Sequence, residues 1–339
     1  MRISILGGAG FLGQRIAAKL AETGRLGAHA VTSLTLFDIA PPAPPKHDGP
    51  ARFPVQSVAG DLAELPSAAI PAGTDVIFHL AAVVSAQAEA DYDLGRRVNL
   101  RGTDAVVDAC RALVKSGSAT PRVVFTSSVA SFSGGQSAVL ADDARQTPAN
   151  SYGAQKAAAE LILADATRRR FLDGVSIRLP TIVVRPGRPN KAASSFLSAI
   201  IREPLLGLPA ELPVSEDFAA WIASPRRAVD WLLHAAAMDT GRMDVGSTGA
   251  DRSLTPPGMS ATVGEMLAAL DRVRPGAAAL VRRADDPAIA AIVGTWPAAF
   301  IPARAEALGF APHEPLDAVI RAFIADDLDA TRRDRAASP

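Results

Sequence analysis

Met1-Arg2-Ile3-Ser4-Ile5-Leu6-Gly7-Gly8-Ala9-Gly10-Phe11-Leu12-Gly13 opens the chain, and Ile16 and Leu20 continue it at helical spacing. An apolar run that ends in a glycine-rich turn and passes straight into an amphipathic stretch predicts a buried parallel strand, a tight turn and a helix. Such a helix presents unpaired N–H groups and the positive end of its dipole, a combination that stabilises a pyrophosphate. Glycine suits the turn because the backbone must bend sharply and come close to the phosphates. Gly7, Gly10 and Gly13 stand three apart, G-x-x-G-x-x-G, and not in the commoner G-x-G-x-x-G. One glycine turn is a weak signal, and its meaning depends on what accompanies it.

The 339 residues suffice for a large α/β core with a smaller lobe. A hydrophobic fraction of 48% and a mean hydropathy of +0.16 fit a chain with a sizeable interior. Formal net charge is zero, which leaves no electrostatic footprint for nucleic acid or an anionic membrane surface. The single cysteine, Cys110, can form no internal disulfide and fits a buried thiol in a reducing compartment. The first strand begins at once, with no signal peptide before it, and no apolar run is long enough to span a bilayer. A cytoplasmic globular protein without a metal centre is expected.

Beyond the opening unit, Val31-Thr32-Ser33-Leu34-Thr35-Leu36-Phe37-Asp38 reads as a second strand ending in a carboxylate. Asp38 falls where such folds place an acid on the adenosine ribose hydroxyls. A 2′-phosphate there would meet a like charge, and no Arg or Lys follows directly, which favours NAD over NADP. Residues 41–50 are proline-dense and predict a surface loop. Strands are expected over 53–59, 75–82, 121–126 and 174–179, and helices over 88–116 and 149–171. This alternation predicts a doubly wound parallel sheet with helices on both faces. His79 reads as a packing residue at a strand end. Past Pro180 the regularity drops, with helices expected over 194–202, 225–238, 262–272 and 316–327. The expected organisation is a dinucleotide-binding core over 1–180, a substrate lobe over 181–329 partly interleaved with it, and a frayed polar tail over 330–339. Ligands of such sheets bind outside the carboxyl ends of the strands, here between sheet and lobe.

The sharpest local signal is Tyr152-Gly153-Ala154-Gln155-Lys156. On a helix these two side chains share a face one turn apart. A phenol ionises near pH 10 in water, and a neighbouring ammonium favours the phenolate. So tuned, it can take a proton from an alcohol near neutral pH. Ser127-Ser128 ends the preceding strand on the same side of the sheet, where a hydroxyl can orient the reacting oxygen. Glycine turn, ribose acid, serine and Tyr-Lys pair follow one another in a workable order.

With these residues the chain resembles the extended short-chain dehydrogenases/reductases of the NAD-dependent epimerase/dehydratase type. The matching segments also include Gly60-Asp61-Leu62, His79-Leu80-Ala81-Ala82, Val98-Asn99 and Arg178-Leu179-Pro180, and cover residues 1 to about 190 closely. The resemblance implies that the amides of Phe11 and Leu12 meet the pyrophosphate, that Asp61 and Leu62 flank the adenine, and that Leu80, Ala81 and Ala82 line the cofactor, with Thr126 and Ser127 at its edge. It implies that Pro180 and Thr181 lie by the nicotinamide carboxamide and that Lys156 reaches the nicotinamide ribose. Asn99 would support the helix and a proton path. The family's catalytic serine precedes an aromatic by four residues, which selects Ser128, before Phe132, over Ser127, with an offset of one still open. It also implies a homodimer, packed through the helices around 96–115 and 152–170.

Departures from the family narrow the reaction. Thr126-Ser127-Ser128 stands where dehydratases carry Thr-Asp-Glu, so the acid and base for water elimination are missing. Val184-Arg185-Pro186-Gly187 and Ser224-Pro225-Arg226-Arg227 replace segments typical of sugar-nucleotide enzymes, and together with 81–91 and 192–196 they resemble the branch that oxidises D-erythronate at C2 with NAD. A small 2-hydroxy acid needs a cation for its carboxylate, and an arginine offers a two-pronged fork. Arg185 and Arg226 are the candidates, and Ser85, Asn190 and Ser195 could bind the remaining hydroxyls. For each of these the competing reading is a surface arginine or a capping residue. An epimerase of nucleotide sugars and a non-catalytic cofactor-sensing protein are the alternatives.

Overall fold

A computed structural model describes residues 1–45, 52–135, 139–187, 193–243 and 251–336. The opening run forms strand β1 (Arg2–Leu6) and helix α1 (Phe11–Thr23), followed by β2 (Ser33–Asp38), β3 (Val55–Ala59) and β4 (Val76–His79). Helix α2 (Gly102–Lys115), strand β5 (Arg122–Ser128), helix α3 (Ser151–Arg168) and strand β6 (Asp173–Leu179) complete the first half. Later in the chain come α4 (Ser195–Leu205), α5 (Pro225–Ala237), the short strand β7 (Ser253–Leu254), α6 (Val263–Val273), α7 (Pro287–Val293), α8 (Leu316–Asp326) and α9 (Leu328–Ala336).

The central sheet has seven strands in the order β3-β2-β1-β4-β5-β6-β7, all parallel. Strand order reverses between β1 and β4, and the crevice above that reversal is where a doubly wound sheet receives a dinucleotide. Successive side chains of a strand point to opposite faces. Accordingly Ile3, Ile5, Phe78 and Val124 enter one core with Ile16, Leu20 and Trp231, while Leu6, Ile77, Val123 and Phe125 enter the other with Val106, Cys110 and Leu163. Burial in this second layer pushes the Cys110 thiol up to about 12, the behaviour of an inert structural cysteine.

The C-terminal part is interleaved with this sheet. Helix α5 packs against α1 and under β5 and β6, and β7 extends the sheet beside β6. A third apolar core, built on Val184, Phe196, Ile200, Met266, Leu270 and Phe323, belongs to the C-terminal lobe. There Thr262 and Glu265 close a reciprocal capping box at the start of α6.

Two expectations are corrected here. The helix predicted over 88–116 is broken: helices Ser85–Ala90 and Tyr92–Arg96 lead into a π-turn at Arg97–Arg101 before α2 begins. Asn99 sits in that turn, where its side chain satisfies loop backbone. The polar stretch predicted to fray is helix α9 as far as Ala336, held because Gly187 N–H donates to Thr331 Oγ1 at 3.3 Å and Arg335 pairs with Glu203 at 2.6 Å.

His79, at the end of β4, is 1% exposed. Thr103 spends its hydroxyl hydrogen on the Asn99 carbonyl at 2.9 Å, so it accepts from His79 Nε2–H at 3.0 Å and fixes that neutral tautomer. Nδ1 has no partner, and the ring lies 5.1 Å from Phe125. Burial, aided by the Lys156 charge, lowers the imidazole to about 3. The unfolded chain therefore binds the extra proton first, and stability is lost as pH falls from the unfolded value near 6.5 toward 3. Between pH 6.5 and 5 this one group should cost about 2 kcal/mol. Urea titrations at the two pH values should show that loss in the wild type and a shallower one in His79→Gln.

Candidate active site

The carboxyl ends of β1, β4, β5 and β6 surround a cavity of about 300 Å³. Gly7, Gly10, Phe11, Leu12 and Gly13 form its floor, and Leu80, Ala82 and Ser85 one side. Thr126, Ser127, Ser128, Tyr152 and Lys156 face it from β5 and α3, with Pro180, Thr181 and Arg185 beyond β6. The sequence-predicted residues from four separate segments thus meet in one place.

The floor is set by two glycines. Gly7 has φ of +94°, and a Cβ there would lie 2.7 Å from Ala81 N. A Cβ on Gly13 would lie 2.2 Å from the Gly7 carbonyl oxygen, so any side chain would drive α1 off the turn. The G-x-x-G-x-x-G spacing is thereby explained by close helix-to-turn packing. At the turn's edge the Asp38 carboxylate accepts from the amides of Ala9 at 3.0 Å and Ile39 at 2.8 Å, which aims it at the glycine turn. This geometry can seat a pyrophosphate on the helix N-terminus and a ribose on Asp38.

Asn150 caps α3 by accepting from Gly153 N–H at 2.8 Å, which puts Tyr152 in the first turn and Lys156 one turn on. Lys156 is 2% exposed; its ammonium donates to the Thr126 carbonyl at 2.7 Å and lies 4.5 Å from the centre of the Phe125 ring and 5.6 Å from that of Tyr152. Burial lowers it to about 7, against the nearby Glu160 carboxylate, which raises it. Burial also raises the Tyr152 phenol, opposed by the Arg185 charge and by a hydrogen bond with Ser128. In the chain alone, then, the cation that favours the phenolate is Arg185, where Lys156 was expected in that role.

The two serines separate clearly. Ser128 is the one bonded to Tyr152, and its oxygen also accepts from Ala130 N–H at 3.1 Å. Ser127 donates to Glu160, which is paired with buried Arg178 at 2.8 Å and accepts from Gln146 at 3.0 Å. Glu160 escaped the sequence reading although it follows Lys156 by four residues on the same helical face. Asn99 does not reach the cavity lining: its amide donates to Gln155 at 2.7 Å and Val83 O at 3.1 Å, and its oxygen accepts from Val83 N–H at 2.9 Å. It ties the loop before Ser85 to α3.

Other predicted residues lie elsewhere. Ala81 donates its N–H to Leu6 O at 2.9 Å and packs on the core, outside the lining. Asp61 caps a short turn through Ala63 N–H at 2.9 Å and pairs with Arg97, and Leu62 is buried against α2. Ser195 faces a second cavity in the C-terminal lobe, while its neighbour Ser194 lines the first. Asn190 lies outside the described residues. Arg226 is corrected as a substrate ligand: it sits half-exposed at the start of α5, bound to Asp326 at 2.7 Å through Nε. Arg226→Ala should leave both kcat and KM within about twofold of wild type in steady-state assays. Val84, Leu179 and Ile182, which lie in segments that carry the resemblance, also line the cavity, as do Val129 and Trp296, which lie outside all of them.

Arg185 stands apart among these cations. Its backbone N–H donates to Ser198 Oγ at 3.0 Å and its Nε to Ile182 O at 3.1 Å, while Arg202 holds its carbonyl at 2.9 Å. Among the described residues no carboxylate forms an ion pair with its guanidinium, so the two terminal nitrogens are available inside the cavity.

The family model for the NAD dependent epimerase/dehydratase family matches residues 3–221. A D-erythronate dehydrogenase of Cupriavidus necator is 45% identical over 333 residues, covering 96% of this chain and 98% of that one. A D-erythronate dehydrogenase of Haemophilus influenzae is 39% identical, covering 97% and 100%. The crystal structure of a protein described as a nucleoside-diphosphate-sugar epimerase from Agrobacterium tumefaciens superposes with a TM-score of 0.89 at 42% identity, covering 98% of this chain and 96% of that one. With the glycine turn and the Tyr152–Lys156 pair gathered on one cavity and Asp38 bonded to the turn at its edge, the chain belongs to the NAD dependent epimerase/dehydratase family and is an NAD-dependent dehydrogenase.

Proposed function

We propose that the chain oxidises the C2 hydroxyl of D-erythronate, or a close four-carbon sugar acid, to the 2-oxo acid. The observation that carries this reading is the guanidinium of Arg185, free of any carboxylate ion pair and close enough to Tyr152 to favour its phenolate. A nucleotide sugar with a neutral sugar ring offers no carboxylate to such a cation, whereas a 2-hydroxy acid places its carboxylate one bond from the reacting carbon. The two relatives named D-erythronate dehydrogenase support it.

When bound, NAD supplies a hydride acceptor and a positive ring charge. Ser128 holds the C2 oxygen beside Tyr152, and Arg185 binds the carboxylate, which orients C2 toward the cofactor. Tyr152 accepts the C2 hydroxyl proton as the hydride leaves C2. Lys156, anchored on Thr126 O, keeps two N–H donors for the nicotinamide ribose, while Arg185 supplies the charge that favours the phenolate. The glycine turn binds the pyrophosphate, Asp38 the adenosine ribose, and Asp61 the adenine edge, with Leu62 buried behind it. Ser85 and Ser194 bind substrate hydroxyls.

Purified protein with NAD and D-erythronate should form NADH in stoichiometry with the 2-oxo acid. The A. tumefaciens description favours a second reading, epimerisation of a nucleotide sugar. That reaction returns the hydride and predicts isomerised sugar with no net NADH. We also infer a cytoplasmic homodimer packed through α2 and α3, supported by Leu161 of α3, 71% exposed. Leu161→Asp should halve the mass measured by light scattering.

A further inference from the structure

Trp296 follows α7 in the C-terminal lobe, in a stretch that carries no motif, yet its indole lines the catalytic cavity with Val129, Thr181 and Ser194. The same four residues also border a smaller void beside Trp221 and Val293, so the indole belongs to the wall between the two spaces. Its Nε1 is buried and donates to nothing in the protein. A buried N–H without an acceptor is costly, on the order of the desolvation of one polar group, and such groups ordinarily meet a ligand or water. The smaller void measures about 10 Å³, at the lower limit for a single water. The catalytic cavity, at about 300 Å³, is the space with room for an acceptor.

We propose that Trp296 is a substrate-specificity residue, closing the substrate end of the cavity and donating its indole N–H to an oxygen of the bound sugar acid. The proposal rests on the reading of a small hydroxy-acid substrate, and it adds the C-terminal lobe as a second contributor to recognition. Arg185 would read the carboxylate, and Trp296 a hydroxyl or carboxylate oxygen while its ring limits chain length. A site built to hydrogen-bond an oxygen discriminates strongly against analogues lacking it.

Trp296→Phe retains an aromatic wall and removes the donor. It should raise KM for D-erythronate about 3- to 10-fold, with kcat within about twofold and NAD affinity unchanged. Trp296→Ala should open the site and raise the rate on five- and six-carbon acids relative to D-erythronate. An independent readout is tryptophan emission in the Tyr152→Phe background with NAD bound. Of the other two tryptophans, Trp231 is spent on Ala311 O at 2.8 Å, and Trp221 lines only the smaller void. Titration with D-erythronate should change the emission, and the change should vanish in Tyr152→Phe/Trp296→Phe. An unchanged KM with the emission change retained overturns the proposal, as does an unaltered chain-length preference in Trp296→Ala. If Trp296→Phe folds poorly, Trp296→Tyr, which keeps the wall and displaces the donor, should show the same KM rise. Wild-type protein that makes no NADH from D-erythronate overturns the substrate reading alone. The emission titration, repeated with glycerate, threonate and lactate, then still decides Trp296, and silence with all of them overturns it.

Discussion

Tyr152→Phe should lower kcat for NADH formation by about 10²–10⁴-fold, the range a positioned general base supplies. Binding of NAD, followed by calorimetry, should change less than about threefold, because the pyrophosphate and ribose contacts proposed above fall to the glycine turn, Asp38 and Lys156. The substitution removes one oxygen from a half-buried ring and leaves the α3 cap at Asn150 and the Lys156 bond to Thr126 O intact. The pH profile follows from the same geometry. Burial raises the phenol above its ordinary value, and the base must be ionised, so the wild-type rate should climb as pH rises through the neutral and alkaline range. The Arg185 charge and the Ser128 hydrogen bond lower the phenol, and each variant of those residues should move the rising limb to higher pH. Turnover in Tyr152→Phe above a tenth of wild type would remove Tyr152 from the chemistry.

What could be read from residues alone tracks how local each signal is. The glycine turn, the end of β2 at Asp38 and the Tyr152–Lys156 spacing are written within a few residues of chain, because strand, turn and helix periodicities are local. The aromatic spacing selects Ser128 but leaves an offset of one open, and only the fold separates the partners: both serines meet α3, Ser128 at Tyr152 and Ser127 at Glu160. Glu160 was within reach of the same i, i+4 argument that paired Tyr152 with Lys156, but a buried acid has no sequence mark until its partner Arg178 is seen on β6. Arg185 and Arg226 looked equivalent as arginines in irregular segments. They differ because Asp326, a hundred residues beyond Arg226, claims one of them. Trp296 and α9 were illegible for the same reason: their partners, Val129 and Thr181 in one case and Gly187 and Glu203 in the other, are remote in sequence.

Arg185→Met should reduce kcat/KM for D-erythronate about 10²–10³-fold, mostly through KM, because a carboxylate would lose a charge-assisted, two-pronged partner in a partly desolvated site. Arg185→Lys keeps the charge and loses the planar fork, and should fall between, about tenfold below wild type. The decisive comparison uses the uncharged amide of the same acid. Wild type should prefer acid to amide strongly, and Arg185→Met should erase most of that preference while leaving amide turnover nearly unchanged, both being compared on the alkaline plateau, above the limb that loss of the Arg185 charge moves to higher pH. A merely structural role for Arg185 would lower both substrates together. The same test separates Arg185 from its basic neighbours. Arg202 and Arg335 share the one carboxylate of Glu203, at 2.7 and 2.6 Å, so each is held in an ion pair that Arg185 lacks. Their part is to hold the segment: Arg202 grips the Arg185 carbonyl, and α9 holds Gly187 through Thr331. Arg335→Ala should therefore weaken acid and amide alike and by less than Arg185→Met, because it loosens the arginine's backbone without removing its charge. If Arg335→Ala instead abolished the acid-over-amide preference, the carboxylate would have to be bound at the Glu203 cluster, and the place of the substrate in the cavity would need to be turned around.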